Sequence, residues 1–281
     1  MLLNALSVDV EDWFQVGAFE DVIARDSWPA RECRVEANTD RLLEMFDAAG
    51  IKATFFTLAW VAERYPQLMQ RIVAAGHELA NHGCAHDRVF TMTPAQFADD
   101  LERSRKTIED LGGAAVRGYR APSFSINKDT HWAHQIIAEQ GYLYSSSINP
   151  IAHDHYGWAD APRFAFKPVS GSDLVEIPVT TAMLGKRRIA AGGGGFFRLL
   201  PYAYSRWAIR QVNREERPAI IYFHPWEIDP GQPRVANASL RSKLRHYSRL
   251  DAMAGKLERL IGDFQWDRLD HIVERERTRI A

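Results

Sequence analysis

The chain has 281 residues, of which 46% are hydrophobic and 25% are charged, and its formal net charge is -1. This length suits one α/β barrel, which typically needs roughly 250 residues, or two smaller domains. The near-zero net charge gives no electrostatic reason to expect nucleic acid or an anionic membrane as the main partner. The two cysteines, Cys33 and Cys84, do not indicate a disulfide framework.

The N-terminus lacks the features of a targeting segment. Its apolar run over residues 2–8 is too short for a signal peptide and follows no basic region. No segment approaches the roughly 18 consecutive apolar residues of a membrane span. We therefore expect a cytoplasmic protein that does not span a membrane.

The first half of the chain alternates predicted strands and helices. A buried strand over residues 2–8 ends in the acidic and aromatic residues 9–13. Asn38 or Thr39 can cap the first helix, which Gly50 ends. Further elements are a strand over 51–58, a helix from Pro66 to Gly76, a short strand over 77–80, and a helix that starts at Thr93-Pro94 and ends near Leu111.

The second half continues the alternation with one interruption. Predicted strands cover 115–119, 142–146, 174–179 and 218–223, and predicted helices cover 129–140 and 201–213. Residues 150–173 are expected to be irregular. The four glycines at 192–195 match no nucleotide-binding fingerprint, so they are either a turn that lets the backbone approach something closely or a flexible tip. From Asn237 onward the tail is predicted to be helical.

This order of elements predicts a parallel α/β barrel with its functional site at the carboxyl ends of the strands. Polar residues follow several of the predicted strands, as expected for such a site. We place the barrel in residues 1–235 and a helical extension packed on it in residues 236–281.

Two histidines four positions apart, His82 and His86, are the central chemical feature. Two imidazoles and one carboxylate form a common hydrolytic metal set that leaves positions open for water and substrate. Asp9, Glu11 and Asp12 can supply the carboxylate ligand and also a base. The donor set suits zinc, and cobalt, nickel, iron or manganese can also bind it.

Two further residues follow other predicted strands. Arg120 can keep a nearby carboxylate ionised and oriented through a bidentate pair. His224 ends the most apolar strand and is a candidate for protonating a leaving group. Trp13, Trp158 and Trp226 offer flat aromatic faces on which a sugar can stack. Cys84 is interpreted as a packing residue.

These pieces, in this order, resemble the polysaccharide deacetylase family, the NodB-homology or carbohydrate esterase 4 group. The four motifs are Ser7-Val8-Asp9-Val10-Glu11-Asp12, His82-Gly83-Cys84-Ala85-His86, Arg120-Ala121-Pro122-Ser123-Phe124 and Ile220-Ile221-Tyr222-Phe223-His224. The resemblance covers roughly residues 1–230. The tail is similar to that of exopolysaccharide-locus (PEP-CTERM-associated) deacetylases, which contain the DUF3473 segment.

The resemblance implies a distorted (β/α) barrel with seven strands and metal-dependent removal of N-acetyl groups from sugars. It implies Asp9 as general base, oriented by Arg120, and His224 as general acid. His82 and His86 would hold the metal with a carboxylate from Glu11 or Asp12, and these two alternatives stay open. Trp13, Phe124 and Trp226 are the candidate substrate-binding residues.

Two other functions are compatible with the same residues. One is hydrolysis of another linear or cyclic amide, as in allantoinase-like relatives of this barrel, and the other is a catalytically silent carbohydrate-binding scaffold. The expected partner is an N-acetylated sugar or oligosaccharide, used in exopolysaccharide biosynthesis, and a homo-oligomer is left open. The absence of an export signal favours a lipid-linked or nucleotide-linked precursor as substrate.

Overall fold

The computed structural model describes residues 2–152 and 157–280, and its strands and helices alternate as the sequence pattern predicts. The strands are β1 (Leu3–Val10), β2 (Thr54–Thr57), β3 (Glu78–Asn81), β4 (Gly118–Tyr119), β5 (Tyr144–Ser145), β6 (Val175–Glu176), β7 (Thr181–Leu184), β8 (Arg187–Ala190), β9 (Ile220–Phe223) and β10 (Gln265–Asp267). The α-helices are α1 (Val35–Ala48), α2 (Ala59–Arg64), α3 (Pro66–Ala74), α4 (Pro94–Gly112), α5 (Ala133–Glu139), α6 (Gly194–Leu199), α7 (Tyr202–Arg214), α8 (Leu240–Tyr247), α9 (Met253–Asp263) and α10 (Leu269–Ile280).

Parallel strands form the predicted barrel in the order β9-β1-β2-β3-β4-β5-β6. Irregular backbone spans the remaining gap between β6 and β9. The amide of Thr180 donates to the Ile220 carbonyl at 3.1 Å, and the amide of Tyr222 donates to the Gly192 carbonyl at 2.8 Å. The distorted seven-stranded barrel is therefore confirmed, and its closure depends on these loop contacts.

The position of the strands in the core explains why their sequences are largely apolar. β1 is buried along nearly its whole length, because side chains on one face point into the barrel and those on the other meet the surrounding helices. Leu42 and Phe46 of α1 pack with Phe55 of β2 in the main cluster, together with Leu68, Met69, Ile72, Phe97, Leu101 and Ile108. Parallel strands that end together place the residues after them around one mouth.

The C-terminal tail contains the predicted helices α8, α9 and α10, and it also contributes a strand. β10 pairs in parallel with β1, with Leu3 opposite Gln265. The sequence did not predict this strand, because three residues of mixed polarity carry no alternation signal. The division at residue 235 stays a prediction. None of the helices in residues 2–152 and 157–280 is long and apolar enough to cross a bilayer.

The start of α1 differs from the prediction. The helix begins at Val35, and Asn38 and Thr39 lie inside it and are buried. The carboxylate of Asp12 accepts hydrogen bonds from the backbone amides of Arg34 at 2.7 Å and Val35 at 3.0 Å. A distant carboxylate therefore caps this helix, a contact that local sequence does not reveal.

The region between β5 and β9 contains one unpredicted hairpin. β7 and β8 pair antiparallel, with Thr181 opposite Ala190. Residues 153–156 of the predicted irregular stretch lie outside the described residues. The described part of 150–173 contains no helix or strand apart from an isolated bridge between Phe166 and Glu176, so the prediction holds there.

Candidate active site

Three side chains meet at the carboxyl ends of β1 and β3. Glu11 lies one residue beyond β1, and His82 lies one residue beyond β3 and begins the loop that carries His86. Each of the three offers a ligand atom, and these atoms all lie within 4.8 Å of one another. All three side chains are buried, so the polypeptide brings a carboxylate and two imidazoles together away from bulk water.

His82 is held in one orientation by the backbone. Its Nδ1 lies 2.7 Å from the carbonyl oxygen of Arg120. Because a carbonyl only accepts hydrogen bonds, Nδ1 carries the proton and Nε2 keeps its lone pair for a ligand. Burial lowers the pKa of His82 to about 4, so the imidazole is neutral near pH 7.

His86 and Glu11 face each other closely. Nε2 of His86 lies 2.9 Å from Oε2 of Glu11, yet this buried oxygen has no aligned hydrogen-bond partner among the described residues. His86 also has a backbone φ of +60°, which bulky residues adopt at a cost. A carboxylate oxygen and an imidazole nitrogen that lie this close together can both coordinate one cation.

Glu11 carries a negative charge in this site. Burial by itself raises its pKa, but the neighbouring imidazoles of His86 and His224 lower it to about 2. Its other oxygen lies 3.3 Å from Nε2 of His224 and 3.5 Å from the indole nitrogen of Trp226. The carboxylate thus stands between the two histidines of the loop after β3 and the residues that follow β9.

Asp9 and Arg120 form a buried ion pair beside this cluster. Nη1 of Arg120 donates to Oδ1 of Asp9 at 2.6 Å and to the Ser7 hydroxyl at 2.8 Å. The remaining nitrogens donate to the carbonyl and hydroxyl of Ser146, so the contact with Asp9 is through one nitrogen and not bidentate as expected. The guanidinium stacks 4.1 Å from the ring centre of Phe56. These contacts fix the Asp9 carboxylate at the mouth.

His224 lies on the opposite side of Glu11, where β9 ends. Its Nδ1 is 3.3 Å from Oε2 of Glu227, which also accepts the His224 amide at 3.0 Å. Burial alone lowers the pKa of His224, but the charges of Glu11 and Glu227 outweigh it and raise the pKa to about 9. His224 therefore holds a proton at neutral pH.

Glu227 is a residue that the sequence reasoning missed. It is buried, and Nε of Arg198 donates to its Oε1 at 2.7 Å. Burial raises its pKa, and Arg198 and His224 together lower it to about 2. The sequence did contain one signal, a capping box. His224 precedes a helical turn, and Glu227, three positions later, reaches back to the His224 amide.

Two predicted residues are placed away from the cluster. The Asp12 carboxylate accepts from the amides of Trp13, Arg34 and Val35, and burial raises its pKa to about 6 despite these bonds. The Trp13 side chain is buried against Phe14, and its indole nitrogen donates to the Glu32 carbonyl. Asp12 therefore binds the amides at the start of α1 and Trp13 packs beside it, and neither side chain belongs to the ligand cluster.

A cleft of about 390 Å³ opens over the cluster. Asp9, Glu11, His82, His86 and His224 line its floor, and the predicted Phe124 and Trp226 line its walls together with Tyr222. Residues that the sequence reasoning did not select form the rim, among them Glu20, Arg88, Ser239 and Ser242. The C-terminal tail thus contributes directly to the cleft, through the start of α8.

Two protein families match the chain in adjacent segments. Residues 22–144 match the family described as polysaccharide deacetylase. Residues 146–274 match a domain of unknown function, DUF3473. The first match includes the histidine pair and Arg120, and the second includes His224 and Glu227, so the cleft is built from both segments.

Similar proteins cover part of the same region. A peptidoglycan deacetylase of Helicobacter pylori is 34% identical over 113 residues, which are 40% of this chain and 38% of that protein. A chitooligosaccharide deacetylase of Bradyrhizobium is 32% identical over 146 residues, which are 52% of this chain and 59% of that protein. The chain therefore spans less than two thirds of the length of either relative.

Solved structures show the same fold at lower identity. A crystal structure described as a polysaccharide deacetylase of Mycobacterium smegmatis has a TM-score of 0.65 and 20% identity, covering 99% of this chain and 91% of that one. Puue allantoinase has a TM-score of 0.62 and 16% identity, covering 98% of this chain and 90% of that one. The two family matches show that the chain contains a polysaccharide deacetylase domain, matched over residues 22–144, followed by a DUF3473 segment, matched over residues 146–274.

Proposed function

We propose that this chain is a metal-dependent N-deacetylase that hydrolyses the acetamido group of an N-acetylated sugar. One observation carries the proposal: a buried carboxylate and two imidazoles form a metal-ligand set, and the cleft above it is also lined by Asp9, paired with Arg120, and by His224, whose raised pKa keeps it protonated. Amide hydrolysis needs a base for the attacking water and an acid for the leaving nitrogen, and this arrangement supplies both.

The ligands we propose are Glu11, His82 and His86. Glu11 has a buried oxygen that lacks a hydrogen-bond partner among the described residues, and His82 has a free Nε2. Asp12 is committed to the amides at the start of α1, so of the two carboxylates we assign Glu11. Zn²⁺ suits two imidazoles and a carboxylate best, and Co²⁺, Ni²⁺, Fe²⁺ and Mn²⁺ suit them as well. Such a cation, when bound, supplies an acidified water and polarises the acetamide carbonyl.

Asp9 is the proposed general base. Arg120 holds its carboxylate by a 2.6 Å hydrogen bond and places a positive charge beside it inside the protein. The carboxylate accepts a proton from water as the water oxygen bonds to the carbonyl carbon of the acetamide. Arg120 is a positioning residue in this step, because it reaches the reacting atoms only through Asp9.

His224 is the proposed general acid. It carries a proton at neutral pH, and its Nε2 faces the cleft beside Glu11. As the C–N bond breaks, Nε2 donates its proton to the leaving nitrogen, and the products are acetate and a free amine on the sugar. Asp9 and His224 both line the cleft together with the three proposed ligands, so a base and an acid are available at one carbonyl carbon.

The aromatic walls and the relatives indicate the substrate class. Phe124, Tyr222 and Trp226 offer apolar surface beside polar groups, a combination that suits a sugar ring. The relatives named above are deacetylases of peptidoglycan and of chitooligosaccharide. We propose an N-acetylated oligosaccharide, and exopolysaccharide biosynthesis as its setting on the strength of the C-terminal resemblance. The cytoplasmic location and the oligomeric state stay predictions, which cell fractionation and light scattering check.

The test is acetate release from N-acetylglucosamine oligomers with and without a chelator, for the wild type and for His82→Ala. We expect release that the chelator abolishes, that added Zn²⁺ or Co²⁺ restores, and that His82→Ala lacks. Bound metal without acetate release from these oligomers would direct the search to another amide. A wild type that neither binds metal nor releases acetate would contradict the proposal and favour a carbohydrate-binding scaffold.

A further inference from the structure

We propose that Arg198 is a positioning residue that holds His224 in place through Glu227 and attaches helix α8 of the C-terminal tail to that histidine. This inference rests on the proposed function, because it concerns the role of His224 as acid. It assigns a function in the reaction to the DUF3473 segment, which contributes every residue of the linkage.

The first step of the linkage is a buried carboxylate shared by two partners. Oε2 of Glu227 accepts the backbone amide of His224 at 3.0 Å and faces its Nδ1 at 3.3 Å. Oε1 of the same carboxylate accepts from Nε of Arg198 at 2.7 Å. A carboxylate that is 1% exposed needs a compensating cation, and Arg198 provides it. The position of Glu227, and with it the ring of His224, therefore depends on Arg198.

The second step connects Arg198 to α8. Its Nη1 donates to the carbonyls of His246 at 3.1 Å and Ser248 at 2.6 Å, and its Nη2 donates to the Arg245 carbonyl at 3.0 Å. These carbonyls belong to the last turn of α8 and the residue after it, where helical carbonyls lack intrahelical partners and carry partial negative charge. One guanidinium thus caps α8 and neutralises Glu227 at the same time.

Stacked rings form a parallel connection. The ring of His224 stacks on Trp226 with centres 5.2 Å apart, and Trp226 stacks on His246 of α8 with centres 4.1 Å apart. His246 is itself fixed by a 2.6 Å contact between its Nε2 and Oε1 of Gln232. The edge of the His224 ring is therefore held by Glu227 and its face by Trp226, and both supports lead to α8.

The glycine run explains how helix α6, which carries Arg198, comes so close to Glu227. A Cβ atom added to Gly194 would lie 1.9 Å from Oε2 of Glu227, whereas one added to Gly195 would meet nothing within 4 Å. The first turn of α6 therefore packs directly on the carboxylate, and Arg198 follows one turn later on the same helix. Of the two interpretations of residues 192–195, the structure therefore supports the close backbone approach, at the first three glycines of the run.

Loss of this support for His224 should affect one chemical step, the protonation of the leaving nitrogen. The departing nitrogen of an acetamide must gain a proton as its bond breaks, whereas 4-nitrophenolate leaves an acetate ester without one. A displaced His224 should thus slow amide hydrolysis and spare the activated ester. A general structural defect would slow both reactions equally.

The experiment compares Gly194→Ala with its matched control Gly195→Ala. Chelator-sensitive kcat and KM are measured for an N-acetylglucosamine oligomer and for 4-nitrophenyl acetate. We expect Gly194→Ala to lower kcat for the amide roughly 10- to 100-fold, as a displacement of about 1 Å does, with KM and the ester rate within about twofold. Gly195→Ala should match the wild type on both substrates.

A second pair of variants keeps the proposal testable if Gly194→Ala folds poorly. Arg198→Lys retains the charge but loses the three carbonyl contacts, and Arg163→Lys is its control at an ion pair with Glu215 outside the cleft. We expect the same selective amide defect in Arg198→Lys alone. Equal losses on amide and ester, or no loss on either, would overturn this inference. A wild type without acetate release would overturn the proposed function as well.

Discussion

Two buried arginines support the two sides of the cleft in different ways. Arg120 and Arg198 are 0% and 1% exposed, and each donates to a buried carboxylate, at 2.6 Å to Asp9 and at 2.7 Å to Glu227. Asp9 itself faces the cleft, whereas Glu227 reaches it only through His224. The first arginine therefore orients a group that meets the substrate directly, and the second orients the partner of such a group.

The two arginines also differ in the secondary structure that positions them and their partners. Arg120 directly follows β4 and Asp9 lies in the last part of β1, so both take their direction from strands of one continuous sheet. Arg198 joins α6 to the turn after β9 and to the end of α8. Paired strands define the base side, whereas packing of two short helices, α6 and α8, on the turn after β9 defines the acid side. We expect the acid side to be the more sensitive to small changes in backbone.

The largest expected effect comes from breaking the pair on the base side. Asp9→Asn removes the base, so we expect kcat for acetate release to fall roughly 10²- to 10⁴-fold. It also leaves the Arg120 charge buried without its carboxylate, which should cost about 3–5 kcal/mol in the free energy of unfolding. Urea denaturation and acetate assays measure the two effects separately.

A double variant separates the two causes. Asp9→Asn with Arg120→Met removes the uncompensated charge and should recover most of the lost stability without recovering activity. If activity returned together with stability, Asp9 would act only in folding and its assignment as base would be wrong.

The sequence predicted, for physical reasons, that the proposed base and the proposed ligands would meet at one mouth, and their roles stay proposals. Asp9, Glu11, His82 and Arg120 lie at or within one residue of strand ends, and the carboxyl ends of parallel strands meet at one edge. The spacing of His82 and His86 is local and visible. The fold was predictable because β1 and β9 are continuous apolar runs whose burial the structure confirms.

The remaining features depend on contacts between distant residues. Glu227 follows His224 by three positions, but its charge matters only because Arg198 folds onto it from another helix. Asp12 was a candidate ligand by residue type, and its real contacts are amides 22 and 23 positions away. Periodicity and motif spacing carry no information about such contacts, so the acid-side support and the cap of α1 could not be predicted.

A buried carboxylate that accepts its hydrogen bonds from backbone amides, and not from a guanidinium as Asp9 and Glu227 do, sharpens the comparison. Asp12 accepts from the backbone amides of Trp13, Arg34 and Val35. Asp12→Ala leaves these donors without their acceptor at the start of α1, so we expect a loss of about 2 kcal/mol in the free energy of unfolding. Asp12→Asn keeps an acceptor oxygen and should lose less. Equal stability of the alanine variant and the wild type in urea would show that the cap contributes nothing.

Glu78 shows what burial does when hydroxyl groups take the place of arginine. The hydroxyl of Tyr144 donates to it at 2.8 Å and that of Thr54 also donates, and burial followed by the charge of Asp270 raises its pKa from 4.5 to about 7. The folded protein therefore holds this proton more tightly than the unfolded chain does. The stabilisation is complete below pH 4.5 and is lost as the pH rises to about 7.

Glu78→Gln should remove that part of the pH dependence. The difference in unfolding free energy between wild type and variant is expected to change by on the order of 1 kcal/mol between pH 5 and pH 8, with the variant gaining relative to the wild type at the higher pH. Urea denaturation at the two pH values measures it. A difference that stays constant, or one that changes in the opposite sense, would show that Glu78 is ionised in the folded protein.

The most direct test of the account is the zinc content of four proteins after incubation with Zn²⁺ and removal of the excess. We expect a single tightly bound zinc ion in the wild type and in Asp12→Asn, and none in Glu11→Gln or His82→Ala. This result would establish Glu11 and His82 as ligands of the metal centre between the two arginine-supported sides. Zinc retained by Glu11→Gln but lost from Asp12→Asn would contradict the account, because the carboxylate that caps α1 would then be the ligand.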